Sequence, residues 1–186
     1  EVEKKWRDGK GEGRPQSVRV TLKASDGHVI PGAEQDLTGP TWSYKWNNLP
    51  KYTEDGTKIT YSIEESEVPG YASSIKAKSD GKGATITNTK LTTVEVEKKW
   101  LDGNDADRPT TVKATLKNNR NSRIDVVTLE GPEWTYTWED LPQYTDDNKL
   151  ITYTVTETVP KGYTESYAIE GTKTTITNTK LTSFEV

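Results

Sequence analysis

The chain of 186 residues contains no cysteine, no methionine and a single histidine, His28. The absence of cysteine excludes disulfide bonds, thiolate metal sites and thiol catalysis. One imidazole is too few for a histidine-based zinc site, and a Ser-His-Asp apparatus would depend on His28 alone, so we predict no cofactor. No run of about 18 apolar residues occurs, and the N-terminus lacks the apolar segment of a signal peptide. We therefore predict no membrane span.

Hydrophobic residues are also scarce, at 30% of the chain. Such a composition is typical of disordered proteins, but those also carry a large net charge and few aromatics. Here the formal net charge is only −4, and there are six tryptophans and nine tyrosines, enough aromatic surface for a core. Lysine and arginine are interspersed with acids and form no basic stripe, which argues against a nucleic-acid partner.

An internal repeat is the strongest signal in the sequence, with a period of about ninety residues. Residues 2–6 recur as 96–100, residues 42–46 as 134–138, and residues 85–92 return unchanged as 175–182. We predict two homologous domains, 1–92 and 93–186. Residues 181–186 (LTSFEV) parallel residues 91–96 (LTTVEV), where the first domain runs into the second. A further unit is therefore expected to follow, as in a section of a longer array.

Apolar residues alternate with polar ones in short runs separated by Asp-Gly, Pro-Gly and Gly-Pro turn signals, in both repeats. Period-two alternation predicts half-buried strands, and several short strands in a domain of this size predict a small all-β sandwich. The aromatic stripes are expected to be core residues, since they fall mid-strand at the same period. They are Trp42, Tyr44, Trp46 and their counterparts Trp134, Tyr136, Trp138.

The same alternation places three polar side chains of each repeat on the inward face. A lysine lies between two core residues of the first strand, a glutamate follows the run 59–63 or 151–155, and an asparagine follows the isoleucine of the last strand. These residues are Lys4, Glu65 and Asn88 in the first repeat and Lys98, Glu157 and Asn178 in the second.

Two interpretations of these trios remain open on the residues alone. A buried lysine and carboxylate are costly unless paired, so the trio could be a structural ion pair whose asparagine satisfies the remaining hydrogen bonds. Burial also favours a neutral amine and a protonated carboxyl. An amine facing a side-chain amide beside a neutral acid is equipped for acyl transfer, with formation of a Lys–Asn isopeptide bond and loss of ammonia.

Two features of the sequence resemble a known domain family: the order of the trio along the chain and a segment that follows each glutamate. Residues 65–71 (ESEVPGY) and 157–163 (ETVPKGY) follow an E-x-x-x-P-x-G-Y-like signature, with the proline next to the glycine in the first copy. In these features the whole chain resembles a pair of Cna B-type domains. The resemblance implies an inverse-immunoglobulin (transthyretin-like) sandwich. It also implies a spontaneous bond between Lys4 and Asn88 assisted by Glu65, and one between Lys98 and Asn178 assisted by Glu157.

The resemblance further implies a non-enzymatic stalk of a cell-wall-anchored Gram-positive surface adhesin, extracellular, which projects a separate ligand-binding region such as a collagen-binding one. Its partners would be neighbouring repeats and that region of the same polypeptide, with peptidoglycan anchorage through a distant part of the chain. The alternative is a module that itself binds a host matrix protein or a carbohydrate, which would require an exposed aromatic or apolar patch.

One acidic segment has a weaker likeness to a calcium loop. Asp102, Asn104, Asp105 and Asp107 follow one another closely, but Lys113 and Leu116 stand where the distal acidic ligand would be needed. A solvated acidic loop is the favoured interpretation, and a weak metal site remains the alternative.

Overall fold

A computed structural model describes residues 1–119 and 122–183, and within these ranges the secondary structure is entirely β. No helix capable of crossing a membrane occurs in the described part of the chain. The chain forms two compact units, one of residues 1–91 and 142–150 and the other of residues 92–141 and 151–186. The predicted all-β class is confirmed. The predicted limits 1–92 and 93–186 remain predictions, and residues 184–186 of the predicted parallel between the ends lie outside the described residues.

The strands of the first unit are short, apart from one long strand that also contributes to the second unit. They are β1 (Val2–Arg7), β2 (Ser17–Ala24), β3 (Glu34–Thr38), β4 (Ser43–Tyr44), β5 (Tyr61–Glu65), β6 (Tyr71–Ala77) and β7 (Ala84–Leu101).

Two sheets form the first unit. In one, β1 pairs in parallel with β7 and antiparallel with β4, and β6 pairs antiparallel with β7. In the other, β2 lies between β3 and β5, all antiparallel. The core includes Val2 and Ile86 from the first sheet and Val20, Leu22 and Leu37 from the second. A core shared by two facing sheets defines a sandwich.

The second unit repeats this plan with the C-terminal part of β7 in the role of β1. Its other strands are β8 (Thr111–Asn118), β9 (Arg123–Glu130), β10 (Thr135–Pro142), β11 (Tyr153–Glu157), β12 (Tyr163–Glu170) and β13 (Lys173–Lys180). β7 pairs in parallel with β13 and also pairs with β10, and β13 pairs antiparallel with β12. β8 lies between β9 and β11 in the other sheet.

The aromatic stripes depart from the sequence prediction at their central residue. Trp46 and Trp138 are buried, and Trp42 and Trp134 pack against the cores. Tyr44 and Tyr136, however, are 39% and 41% exposed, so the prediction of a core position was wrong for both. Each tyrosine stacks edge-on against the buried tryptophan two residues later. An aromatic with a polar hydroxyl is suited to covering the core from its rim.

The turns that lead into β6 and β12 are equivalent despite the shifted proline. Gly70 and Gly162 adopt φ values of +78° and +83°, a region that glycine enters without steric cost. The amide of the following tyrosine donates to the carbonyl three residues earlier, from Tyr71 to Val68 and from Tyr163 to Pro160. The shift of the proline therefore leaves the spacing from the inward glutamate to the edge strand unchanged.

Candidate functional site

The lysine and the asparagine of each trio lie on neighbouring parallel strands. In the first unit Lys4 is in register with Ile86, and Trp6 with Asn88. Lys4 and Asn88 thus share a face and are offset diagonally by two residues, a Cα separation of about 8 Å in regular sheet geometry. A lysine side chain spans that distance. The second unit has the same register, with Lys98 beside Ile176 and Trp100 beside Asn178.

The glutamate of each trio comes from the opposite sheet. Glu65 ends β5 in register with Val20, and Glu157 ends β11 in register with Ala114, both of which are core residues. The carboxylate therefore reaches the lysine across the interior of the sandwich. The inward placement predicted from alternation is confirmed: Lys4, Asn88, Lys98 and Asn178 are buried, and the Glu65 and Glu157 side chains are at most 3% exposed.

In the first unit the lysine and the glutamate form a close ion pair. Lys4 Nζ lies 2.8 Å from Glu65 Oε1. The other carboxylate oxygen, Oε2, accepts a hydrogen bond of 2.6 Å from Ser73 Oγ on β6. Burial lowers the pKa of Lys4, and the hydrogen bond and charge of Glu65 oppose that shift.

In the second unit the pair is looser. Lys98 Nζ lies 3.8 Å from Glu157 Oε2 and donates to the main-chain oxygens of Lys99 and Ile176 at 3.0 and 3.3 Å. Burial lowers the pKa of Lys98 to about 8, against the opposing charge of Glu157. Burial likewise raises the pKa of Glu157, and Lys98 and the nearby Asn178 amide oppose that rise. Burial therefore shifts both partners towards their neutral forms.

Several polar atoms of the trios are buried without a hydrogen bond of standard geometry in the described part of the chain. They include both amide atoms of Asn88 and of Asn178, and both carboxylate oxygens of Glu157. The Asn178 amide is close enough to Glu157 to influence its pKa, but the geometry is not that of a hydrogen bond. A buried unsatisfied polar group costs about 1 to 3 kcal/mol, so the unreacted arrangement is expensive.

A tryptophan covers the amine in each unit. Lys4 Nζ lies 4.4 Å from the ring centroid of Trp6, and Lys98 Nζ lies 4.3 Å from that of Trp100. Both distances are within cation–π range. Each tryptophan is in turn packed edge-on against the tyrosine that begins β6 or β12. These rings exclude water from the amine.

Sequence reasoning missed a second buried cluster beside each trio. The Asp8 carboxylate accepts hydrogen bonds from Arg14 at 2.6 and 2.8 Å and from the Tyr71 hydroxyl at 3.3 Å. In the second unit Arg108 and Tyr163 bind Asp102 in the same way. The Asp8 and Asp102 side chains are fully buried. The recurring D-x5-R spacing, followed by proline, was the signal that could have revealed the pair.

The acidic segment that resembles a calcium loop is organised around this cluster. Asp102 is occupied by Arg108 and accepts from the Asn104 amide, and Asp105 accepts from the Asp107 amide. Within residues 1–119 and 122–183 no group of three or more acidic or histidine side chains is arranged to hold a metal ion. Asp102 departs from the solvated acidic loop that the sequence favoured, because its side chain is buried and paired with Arg108, whereas Asp107 is exposed.

Comparisons with known proteins identify the family of the two repeated domains. The family model for the Cna protein B-type domain matches residues 1–89 and again residues 94–179. The collagen adhesin of Staphylococcus aureus is 34% identical over 149 residues, which cover 76% of this chain and 12% of that protein. The chain belongs to the Cna B-type domain family, and it spans only a small part of the length of this curated relative.

Two crystal structures of the collagen binding surface protein of Staphylococcus aureus are also similar. A single B repeat unit (B1) is 31% identical, with 97% of each chain covered and a TM-score of 0.46. A structure of two such units (B1B2) is 31% identical, with 97% of this chain and 48% of that chain covered and a TM-score of 0.45.

Proposed function

We propose that each repeat forms one intramolecular isopeptide bond, between Lys4 and Asn88 in the first and between Lys98 and Asn178 in the second. The observation that carries this proposal is the convergence, in both repeats, of an amine, a carboxyl and an amide inside the sandwich. An ion pair alone would explain the lysine and the glutamate, but it would leave a buried amide unsatisfied beside them.

The chemistry requires the neutral amine and the protonated carboxyl, which together hold the same number of protons as the ion pair. Lys Nζ attacks Asn Cγ while the glutamic acid donates a hydrogen bond to the amide oxygen. A bond forms between Nζ and Cγ, the bond from Cγ to Nδ2 breaks, and ammonia leaves with a proton relayed through the glutamate. Glu65 and Glu157 are the proton shuttles. Because the reaction consumes its own side chains, it occurs once and is not enzymatic turnover.

The consequence of such a bond is mechanical. In the first unit the chain enters through β1 and leaves through β7, which are adjacent parallel strands. A force applied at both ends shears these two strands, and a covalent link between them would carry the load in place of the hydrogen bonds. Closing a loop of roughly eighty residues would also stabilise each unit by about 4 to 5 kcal/mol.

Two small domains that resist extension under force are suited to hold a binding region at a distance from the cell surface. We infer that the chain is a section of the stalk of an extracellular adhesin on a Gram-positive cell surface. The stalk projects a separate ligand-binding region, such as a collagen-binding one, and peptidoglycan anchorage lies in a distant part of the polypeptide. The family membership and the similarity to a collagen adhesin support this assignment.

Intact-mass spectrometry of the purified chain tests the bonds. The expected mass is lower than the sequence mass by two molecules of ammonia, and Asn88→Ala or Asn178→Ala should each restore one unreacted lysine. Thr87→Ala and Thr177→Ala, which change the neighbouring residues on the outward face, are the matched controls and should retain both losses. The full sequence mass in the unmodified chain would refute the proposal.

A second candidate is a module that itself binds a carbohydrate or a host matrix protein. The exposed rings of Tyr44 and Tyr136 favour it, since exposed aromatics at equivalent positions can stack on sugars or protein surfaces. Binding of the chain to immobilised collagen, fibronectin and glycans is the test. Saturable binding that Tyr44→Ala and Tyr136→Ala abolish would overturn the spacer assignment, whereas no binding supports it.

A further inference from the structure

One inward position on the edge strand differs between the repeats, next to the asparagine of each trio. Ser73 on β6 is directly opposite Asn88, and Glu165 on β12 is directly opposite Asn178. Residues directly opposite in an antiparallel pair project from the same face of the sheet. The serine and the glutamate therefore lie on the same face as the asparagine of their trio, and both residues are exposed on the outer strand.

In the first repeat this position supplies a hydrogen-bond donor. Ser73 Oγ donates to Glu65 Oε2 at 2.6 Å, while Lys4 Nζ lies 2.8 Å from the other oxygen. A donor to a carboxylate stabilises its ionised form. Glu65 is thus held between the Lys4 amine and the Ser73 hydroxyl, and these contacts must be broken before Lys4 can attack the amide.

In the second repeat the same position carries a carboxylate. Burial is the main cause of the raised pKa of Glu157, and the charge of Glu165 raises it further. The lysine amine is also further away, at 3.8 Å, and donates to main-chain oxygens instead. A second negative charge near Glu157 favours its protonated form and hence the neutral pair.

We propose that the residue at this position, Ser73 or Glu165, is a positioning residue that sets the rate of isopeptide formation, so that the second repeat closes its bond before the first. This inference depends on the proposed function. The atoms exchanged are those given above, and only the equilibrium between the ion pair and the neutral pair differs. We expect the gain or loss of one hydrogen bond to a charged group to change the rate of isopeptide formation about tenfold.

The test measures both bonds in the same full-length chain. Cell-free synthesis in a short pulse is followed by a chase at constant pH, and samples are quenched in acidic denaturant, digested and analysed by mass spectrometry. The joined Lys4–Asn88 and Lys98–Asn178 peptides are quantified against their unjoined forms. We expect the second bond to form about tenfold faster than the first.

Substitutions at these two positions distinguish the effect of the polar group from that of side-chain shape. Glu165→Gln should slow the second bond while Glu165→Asp retains its rate, and Ser73→Ala should accelerate the first bond while Ser73→Thr does not. Glu170→Gln on the same strand, opposite Lys173, and Ser74→Ala beside Ser73 are the matched controls and should change neither rate. If the two residues only supported the fold, the rates would not follow the presence of the carboxylate or the hydroxyl in this way.

The outcomes distinguish the two proposals. Equal rates for the two bonds, or rates that Glu165→Gln and Ser73→Ala leave unchanged, would overturn the inference while leaving the isopeptide bonds in place. The absence of joined peptides from both repeats would overturn the proposed function and the inference with it.

Discussion

In the first repeat the Lys4 amine lies 2.8 Å from the Glu65 carboxylate, whereas in the second the Lys98 amine lies 3.8 Å from Glu157 and donates to main-chain oxygens. The strands and register that bring the three side chains together are the same. The edge strand differs, with Ser73 in one repeat and Glu165 in the other. The comparison indicates that sheet register places the reacting groups, while the side chain that the edge strand presents beside them differs.

The largest effect is expected from removal of the glutamate. Glu65→Gln or Glu157→Gln should prevent the bond in its own repeat and leave a buried lysine unpaired. Loss of the loop closure costs about 4 to 5 kcal/mol, and the lysine left without its carboxylate costs about 3 to 5 kcal/mol more. The added penalty should be larger in the first repeat, where the ion pair is closer. Hydrogen–deuterium exchange in increasing urea, followed on peptides of each unit, measures both values.

The outward neighbours of the glutamates provide controls for this comparison. Glu64→Gln and Thr156→Ala alter the preceding residue of each strand, on the opposite face, and should leave the stability within about 0.5 kcal/mol. If Glu65→Gln and Glu157→Gln chains still showed the mass of the joined form, the role assigned to the glutamates would be wrong.

Removal of the asparagine should produce the next largest effect and should make the repeats alike. Asn88→Ala and Asn178→Ala delete the bond but retain the ion pair, so each unit should lose about 4 to 5 kcal/mol of unfolding free energy. The same exchange measurement applies, with Thr87→Ala and Thr177→Ala as controls. Losses below about 1 kcal/mol in both units would show that no covalent closure contributes to stability.

The residues of the trio could be predicted from the sequence because a strand has a period of two. Lys4 lies between Val2 and Trp6, and Asn88 shares a face with Ile86, so the inward face follows from the pattern alone. The repeat added a second, independent instance of each residue. Fold class followed for the same reason.

Other features depend on tertiary context that one strand does not encode. Tyr44 and Tyr136 alternate correctly but belong to strands at the rim of the sheet, where the inward face is only half covered. The Asp8–Arg14 pair joins positions in a loop without periodicity. The influence of Ser73 and Glu165 requires knowledge of which strand edges face each other across the sandwich. None of these follows from local alternation.

Alkaline pH should distinguish a free Lys98, whose amine titrates, from a Lys98 that is joined to Asn178. In Asn178→Ala, Lys98 remains a titratable amine with a pKa lowered from 10.5 to about 8. Between these values the folded state binds fewer protons than the unfolded state, so the second unit should gain stability as pH rises, by at most about 3 kcal/mol. Urea unfolding at several pH values measures the gain. The Lys98→Met, Asn178→Ala double variant removes the titrating group and should show no such gain.

The smallest effect is expected outside the trio, at a cluster that both repeats share. The hydrogen bond from Arg108, and secondarily that from the main-chain N–H of Asn104, lowers the pKa of Asp102 from 3.8 to about 2. The contribution of this carboxylate to stability is present above pH 3.8 and is lost as pH falls towards 2, because the unfolded state binds the proton first. Asp102→Asn should therefore flatten the acid dependence of unfolding of the second unit, and the exposed neighbour Asp107→Asn should not. Because an isopeptide bond does not titrate, this acid sensitivity should persist in the fully joined chain. If the acid dependence of unfolding were unaltered in Asp102→Asn, the Asp102–Arg108 pair would not be the cause of the stability that the second unit loses in acid.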